Sequence, residues 1–290
     1  MRKSKLNALI ELLDDPDQKV YKIVEKELLK EKKNIIPVLE EKWESIFDGY
    51  YQERIENIIQ NLQFNETKKR LESWLITDAD ERDLLTGFLI IDRFQYPDLN
   101  PLMIQIKIEN IRKKIWLEFN NSLTLLEKTT ILNHFLYNLN GFTINHKNVH
   151  SPQNCFVNQM LDTKNGNAVS LCILYTIIAR QLELPAQFID FPKNPLVAIV
   201  DPKLARKVHG ENIKSDVLFY INPANKGSIT SIKEIEYHLN SNDYKPIRNY
   251  TEPKSDVYLI RLLLETLEMS YDSVNYIDKK ERIQKLLELF

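Results

Sequence analysis

Glycine is scarce in this chain, with six residues in 290. Glycine supplies left-handed turns and close backbone approaches. A Gly-rich phosphate loop or a doubly wound dinucleotide fold is therefore not expected, and neither fingerprint occurs. Cysteine is scarcer still. Cys155 and Cys172 allow one bridge at most, which excludes a disulfide framework, and two thiols alone do not make a thiolate zinc site. No apolar run approaches the roughly 20 residues of a spanning helix. The nearest, 171–178, is followed by Arg180. Charge of one sign is not in excess either: 39 basic residues stand against 41 acidic ones, a net of −2. That balance gives no reason to expect nucleic acid, an anionic membrane or an acidic substrate as partner. The opening residues MRKSKLNALIELLDD interrupt their apolar stretch at Asn7 and Glu11, unlike a secretory leader. A reducing, cytoplasmic setting is the expectation.

What the chain does contain is helical periodicity. Leu6, Leu9, Ile10 and Leu13 form one stripe. Val20, Ile23, Val24 and Leu28 form a second, and Ile35, Leu39, Trp43 and Ile46 a third. In the DDPD turn between the first two, Asp15 is expected to cap the next helix with Pro16 in its first turn. Further helical pattern covers 52–75, 84–94, 102–118 and 123–138. A loop rich in Asn and His, GFTINHKNVHSPQN, follows. After Gly166 comes the almost wholly apolar stretch AVSLCILYTIIARQLEL, which reads as a helix buried on nearly all sides. Three short strand-like runs come next, at 186–191, 196–200 and 217–221. Amphipathic helices over 256–270 and 278–290 close the pattern. The expected class is α+β, mostly helical, with a buried central helix leading into a small antiparallel sheet of three or more strands. The expected divisions are a helical segment at 1–75, a central domain at 76–250 and a helical tail at 251–290.

Several stretches stand in the order of a known family. They are LLTGFLIIDRFQYPDLNP (84–101), LNHFLYNLNGFTIN (132–145), SPQNCFVNQML (151–161), NGNAVSLCILYTIIARQLELPAQFIDF (165–191) and YINPANKG (220–227). Together they resemble the SirB-type branch of the transglutaminase-like superfamily. The first helices resemble a HEAT-type repeat, although a plain helical hairpin fits the same residues. Active members of the superfamily use a Cys–His–Asp triad, with the cysteine at the start of the buried helix, where the helix dipole favours its thiolate. Carried onto this chain, those positions fall on Ala168, Asn194 and Asn222. Alanine has no nucleophile, and neither asparagine supplies a base or a charge. The resemblance thus implies a transglutaminase-like fold whose catalytic set is degenerate, with no catalytic residue expected. It implies a module that recognises a protein or peptide through the former cleft. Asn154, Cys155, Asn158, Asn194, Asn222 and Asn225 are the expected lining.

Other residues bear on an enzymatic alternative, a cysteine-dependent hydrolase or acyltransferase. Cys155 lies in the Asn-rich loop near His146 and His150, so a Cys–His pair there would revive thiol chemistry. Cys172, one turn into the buried helix, reads as an inert apolar residue. His146 and His150 have the i, i+4 spacing of a helical metal pair, but Gly141 and Pro152 argue against a helix. No metal or cofactor is expected. The segment 201–214 carries Lys203, Arg206, Lys207, His209 and Lys214, either an anion patch or a solvated helix.

Overall fold

The computed structural model describes residues 3–210, 215–245 and 247–290. The chain divides into two compact units, one formed by Met1–Thr77 with Arg93–Pro97, the other by Asp78–Asp92 with Asp98–Phe290.

The first unit is helical. Helix α1 (Lys3–Glu11) runs into a 3-10 turn at Leu12–Asp14, followed by α2 (Gln18–Leu29), α3 (Ile36–Ser45) and the long α4 (Gly49–Ile76). The stripes read from the sequence converge here. Leu6, Ile10, Leu13, Val24, Leu28, Leu39, Ile55 and Ile58 share one buried cluster. The cap of α2 differs from expectation. Asp17, not Asp15, accepts the Lys19 N–H at 2.8 Å, and Pro16 lies in the link before the helix. Asp15 is used instead to accept the Asp17 N–H at 2.8 Å. The turn is pinned by buried Arg54 of α4. Its guanidinium donates to the Leu13 and Asp15 carbonyls at 2.7 and 2.6 Å and stacks on the Tyr21 and Tyr50 rings. A guanidinium suits this position because one terminal nitrogen satisfies both carbonyls, the other donates to the Tyr50 hydroxyl, and its faces lie on aromatics.

The second unit opens with α5 (Leu84–Gln95, its last residues belonging to the first unit), α6 (Pro101–Trp116) and α7 (Leu125–Asn133). Asn100 caps α6 with proline at its first position, and a Thr124–Glu127 capping box starts α7. The end of α7 continues into a π-helical turn at His134–Leu139. Strand β1 (Thr143–Ile144), α8 (Val157–Thr163) and β2 (Asn165–Gly166) lead to α9 (Ala168–Gln181). Then come β3 (Ala186–Ile189), β4 (Leu196–Val200), α10 (Pro202–His209), β5 (Val217–Asn222), β6 (Ser228–Thr230), α11 (Ile232–Ser241), β7 (Pro253–Lys254), α12 (Asp256–Ser273) and α13 (Ile277–Leu287).

β1 and β2 pair in parallel. The main sheet has the order β6-β5-β4-β3-β7, every pairing antiparallel. Register decides which side chains share a face. Ile189, Leu196, Ala198 and Tyr220 pack with Ile232, Ile235 and Leu239 of α11. Phe188, Val197 and Ile221 stand in a cross-strand row on the opposite face, fully buried, where α9 packs on β3 and β4. Helix α9 is buried from Val169 to Ala179 and also packs against α8 and α12. Mostly helical content around a small antiparallel sheet is as the sequence implied. The edge strands β6 and β7 are additions to it. Among the described residues, no helix is long and apolar enough to cross a membrane.

Candidate functional site

The N-terminus of α9 is where the resemblance places a nucleophile. Asn167 caps it. Its Oδ1 accepts the Ser170 N–H at 2.8 Å, and the Ser170 Oγ accepts the Asn167 N–H at 3.0 Å. Ala168, half-buried, is the first helical residue. Gly166 precedes the cap because the first turn leaves no room there: a Cβ would sit 2.7 Å from the Ser170 Oγ and 2.9 Å from the Met160 sulfur.

Cys155 is the nearest thiol to this helix end, and it is fully buried. The Asn167 Nδ2 donates to its Sγ at 3.1 Å. Burial pushes the thiol up to about 12, only partly offset by hydrogen bonding to Asn167 and Ser270, and the Asp92 carboxylate adds to the rise. A thiol in that state is protonated and non-nucleophilic near neutral pH. The exposed Cys–His pair raised by the sequence is absent. His146 and His150 are exposed in a non-helical segment, so their i, i+4 spacing places no two imidazoles on one helix face. Cys172 is also buried; its Sγ reaches the Leu196 carbonyl at 3.7 Å, and desolvation raises its pKa strongly.

The other expected lining residues separate. Asn154 is buried and holds its loop closed: its Nδ2 donates to the Asn148 and Val149 carbonyls at 2.8 and 3.2 Å, and its Oδ1 accepts from Asn145 at 2.9 Å. Asn154 and Cys155 are thus interior scaffold, because the Pro152–Cys155 turn folds against α9 and α12. Asn158 is half-buried on α8, its Oδ1 accepting the Gln159 N–H at 2.7 Å. Asn222 ends β5, and its Oδ1 accepts the Asn225 N–H at 3.2 Å, starting a 3-10 turn that packs on α9. Asn225 is exposed and donates to the Ser228 hydroxyl at 3.2 Å. Asn194 is exposed in the β3–β4 link, beside Lys193 at φ +69°. Of the three mapped positions, Ala168 and Asn222 therefore lie on elements that pack together, and Asn194 lies in an exposed link.

Asp92 was not singled out from the sequence. It is a fully buried carboxylate on α5, and its two oxygens accept the Val157 and Asn158 N–H groups at 2.7 and 2.8 Å. Phe156, at the N-cap of α8, supplies no side-chain cap, so Asp92 does this from another helix. Burial raises its pKa to about 7, against the lowering effect of the two N–H groups. The readable signal was a lone carboxylate in the otherwise apolar run GFLIID.

A second interior tie was equally unforeseen. Tyr175 of α9 donates to the Asn133 Oδ1 at 2.9 Å, and the Asn133 Nδ2 donates to the Gly227 carbonyl at 2.7 Å. Tyr137, from the π-helical turn, is buried alongside Tyr175 and Cys172.

Helix α10 is short and basic. Asp201 caps it through the Lys203 and Leu204 N–H groups at 3.1 and 2.9 Å; Ala205 faces inward, and Lys203, Arg206 and Lys207 face out. His209 places Nε2 3.0 Å from the Leu218 carbonyl. Lys214 lies outside the described residues. Among the described residues, no group of three or more His, Cys, Asp or Glu is placed to hold a metal ion.

Replacing Asn167 by alanine should cost about 1–2 kcal/mol in urea unfolding, because both the cap of α9 and the donor to Cys155 are lost. Asn167→Asp keeps the cap and should recover most of that loss.

A family model for the transglutaminase-like superfamily matches residues 103–265, more than half of the chain. A UPF0162 protein of Xylella fastidiosa is 28% identical over 127 residues, covering 42% of this chain and 43% of that protein. F-box only protein 21 from human is 28% identical over 106 residues, 37% of this chain and 16% of that protein; the mouse protein is 27% identical over the same length. The chain spans less than half the length of these curated relatives. No solved structure matches.

Proposed function

From a chain that belongs to the transglutaminase-like superfamily, we infer a SirB-type member that recognises a protein or peptide in the cytoplasm and carries out no thiol chemistry. The observation that carries this reading is the state of the two thiols. Cys155 and Cys172 are both fully buried and both have raised pKa values. Covalent catalysis by cysteine needs a thiolate with access to substrate and a base beside it. Here Ala168 begins the helix that would carry the nucleophile, and an amide donor stands beside the only nearby thiol. Asn222, half-buried on the turn that packs on α9, and its exposed neighbour Asn225 carry amides that can hydrogen-bond a ligand but cannot act as acid or base. The N-terminal helices, HEAT-like in this reading, add recognition surface.

The alternative is a hydrolase or acyltransferase acting through Cys155. It is favoured by the position of that thiol against the cap of α9. The two readings part on accessibility. In native buffer at pH 8, a chromogenic thiol reagent should modify neither cysteine, and both should react after unfolding in guanidinium. Rapid native modification of Cys155, together with acyl-substrate turnover lost in Cys155→Ala, would establish the enzyme instead.

A further inference from the structure

The π-helical turn at His134–Leu139 ends on an asparagine–glycine pair, Asn140–Gly141, which links it to β1. Backbone bonding skips one residue there. The Phe135 carbonyl accepts the Asn140 N–H at 3.0 Å and the Leu136 carbonyl accepts the Phe142 N–H at 3.1 Å, but the Gly141 N–H between them has no acceptor among the described residues. Gly141 is exposed at φ +73°, with nothing within 4 Å of the place a Cβ would take. Asn140 is half-buried, and its Nδ2 donates to the Phe135 carbonyl at 2.7 Å. An amide carbon and an unbonded, unhindered backbone nitrogen therefore stand one residue apart. The other such pair in the chain, Asn165–Gly166, is built differently. Gly166 is buried in the ladder of β1 with β2, its carbonyl accepts the Asn145 N–H at 2.9 Å, and the Ser170 Oγ and Met160 sulfur leave no room beside it.

We propose that Asn140 is a site of spontaneous covalent modification, converted by its own backbone to aspartate and isoaspartate while Asn165 is protected. The Gly141 nitrogen bonds to the Asn140 Cγ, the Cγ–Nδ2 bond breaks, and ammonia leaves with the proton that the backbone nitrogen gives up. Water then opens the resulting cyclic imide at either carbonyl, its hydroxyl going to carbon and its hydrogen to nitrogen. Ring closure needs the Asn140 ψ turned away from −16° and its Nδ2 freed from the Phe135 carbonyl. Glycine at 141 tolerates that rotation, whereas the ladder and the packing at Gly166 resist it. The product acts on the π-helical turn. A donor to the Phe135 carbonyl becomes a carboxylate facing it, two acceptors with no proton between them. That turn carries Tyr137, buried beside Tyr175, so its loosening reaches α9.

The test incubates the full chain at 37 °C and pH 8.5 and follows it by peptide-mapping mass spectrometry. The peptide holding Asn140 should gain about one dalton, with aspartate and isoaspartate forms separable by chromatography. It should do so roughly tenfold faster than the peptide holding Asn165, and Gly141→Ala should slow it by a similar factor. In guanidinium the two asparagines should react at similar rates, because the difference between them lies in the fold. A folded Asn140→Asp protein should melt about 3–6 °C below the natural one. No mass gain at Asn140 in the native chain, equal native rates at the two pairs, or the same rate ratio after unfolding overturns the proposal. An unchanged melting temperature in Asn140→Asp overturns its effect on the π-helical turn.

Discussion

Replacing Gly227 by alanine is expected to destabilise the protein by about 3–4 kcal/mol, measured as a lowered urea midpoint with an unchanged slope. An added Cβ would lie 2.4 Å from the Asn133 Cγ and Oδ1 and 2.7 Å from the Tyr137 Cε2. Real carbon atoms do not approach so closely, so Asn133 must move. That side chain bonds both the Gly227 carbonyl and the Tyr175 hydroxyl, so moving it breaks a tie between α7, the β5–β6 turn and α9. Gly227 also has φ +70°, where an L side chain adds strain. Gly141 is the control. Its φ is +73°, yet nothing lies within 4 Å of a Cβ there, so Gly141→Ala should cost only about 1 kcal/mol. Equal losses at the two positions would show that backbone strain, not the crowding at Asn133, sets the effect.

Asp92→Ala should cost about as much, roughly 3–5 kcal/mol, because two buried N–H groups at the start of α8 lose their acceptor. Asp92→Asn is the sharper probe, because its deficit should depend on pH. The folded-state pKa of Asp92 is raised from 3.8 to about 7, so the native protein binds this proton more tightly than the unfolded chain does. Its contribution is therefore fully present below about pH 4 and is lost as pH rises through 7. The whole loss corresponds to about 4 kcal/mol, and roughly 2–3 kcal/mol of it falls between pH 5 and 8. Asparagine does not titrate. The deficit of Asp92→Asn relative to the natural protein should shrink by that amount between pH 5 and 8, as read by denaturant unfolding at each pH. A constant deficit would mean that the two N–H groups keep the carboxylate ionised throughout.

The parts of the fold legible in the sequence are those with a long, uniform signal. Helix α9 announces itself as an apolar run too polar-poor to face water on any side, and β3, β4 and β5 are β-branched or aromatic runs cut off by proline or polar residues. The edge strands carry no such signal. β7 is two residues long and includes Pro253, and its pairing with Phe188 and Ile189 is decided by tertiary contact. Two aspartates flank Pro16, and local sequence does not decide between them: Asp17 caps α2, while Asp15 closes the turn whose carbonyl Arg54 binds. At the site, the resemblance and the Asn-rich loop made Cys155 and Asn154 read as lining of a cleft. Their burial follows from packing of the Pro152–Cys155 turn on α9 and α12, which local sequence does not encode. Asp92 and Asn167 escaped notice for the same reason: each acts on a partner brought to it by the fold.

The cover on α9 has a consequence for the order of synthesis. Residues 168–181 leave the ribosome well before Asp256–Ser273, the helix that packs on them. At roughly 5–20 residues per second, several seconds pass with an almost entirely apolar helix lacking that partner. The sheet offers only partial shelter in that interval, because β7 arrives with the same late segment to close the β3 edge. A nascent chain halted just after β6 would therefore present both an apolar helix uncovered on its α12 side and an open strand edge, the two features that holding chaperones and self-association exploit.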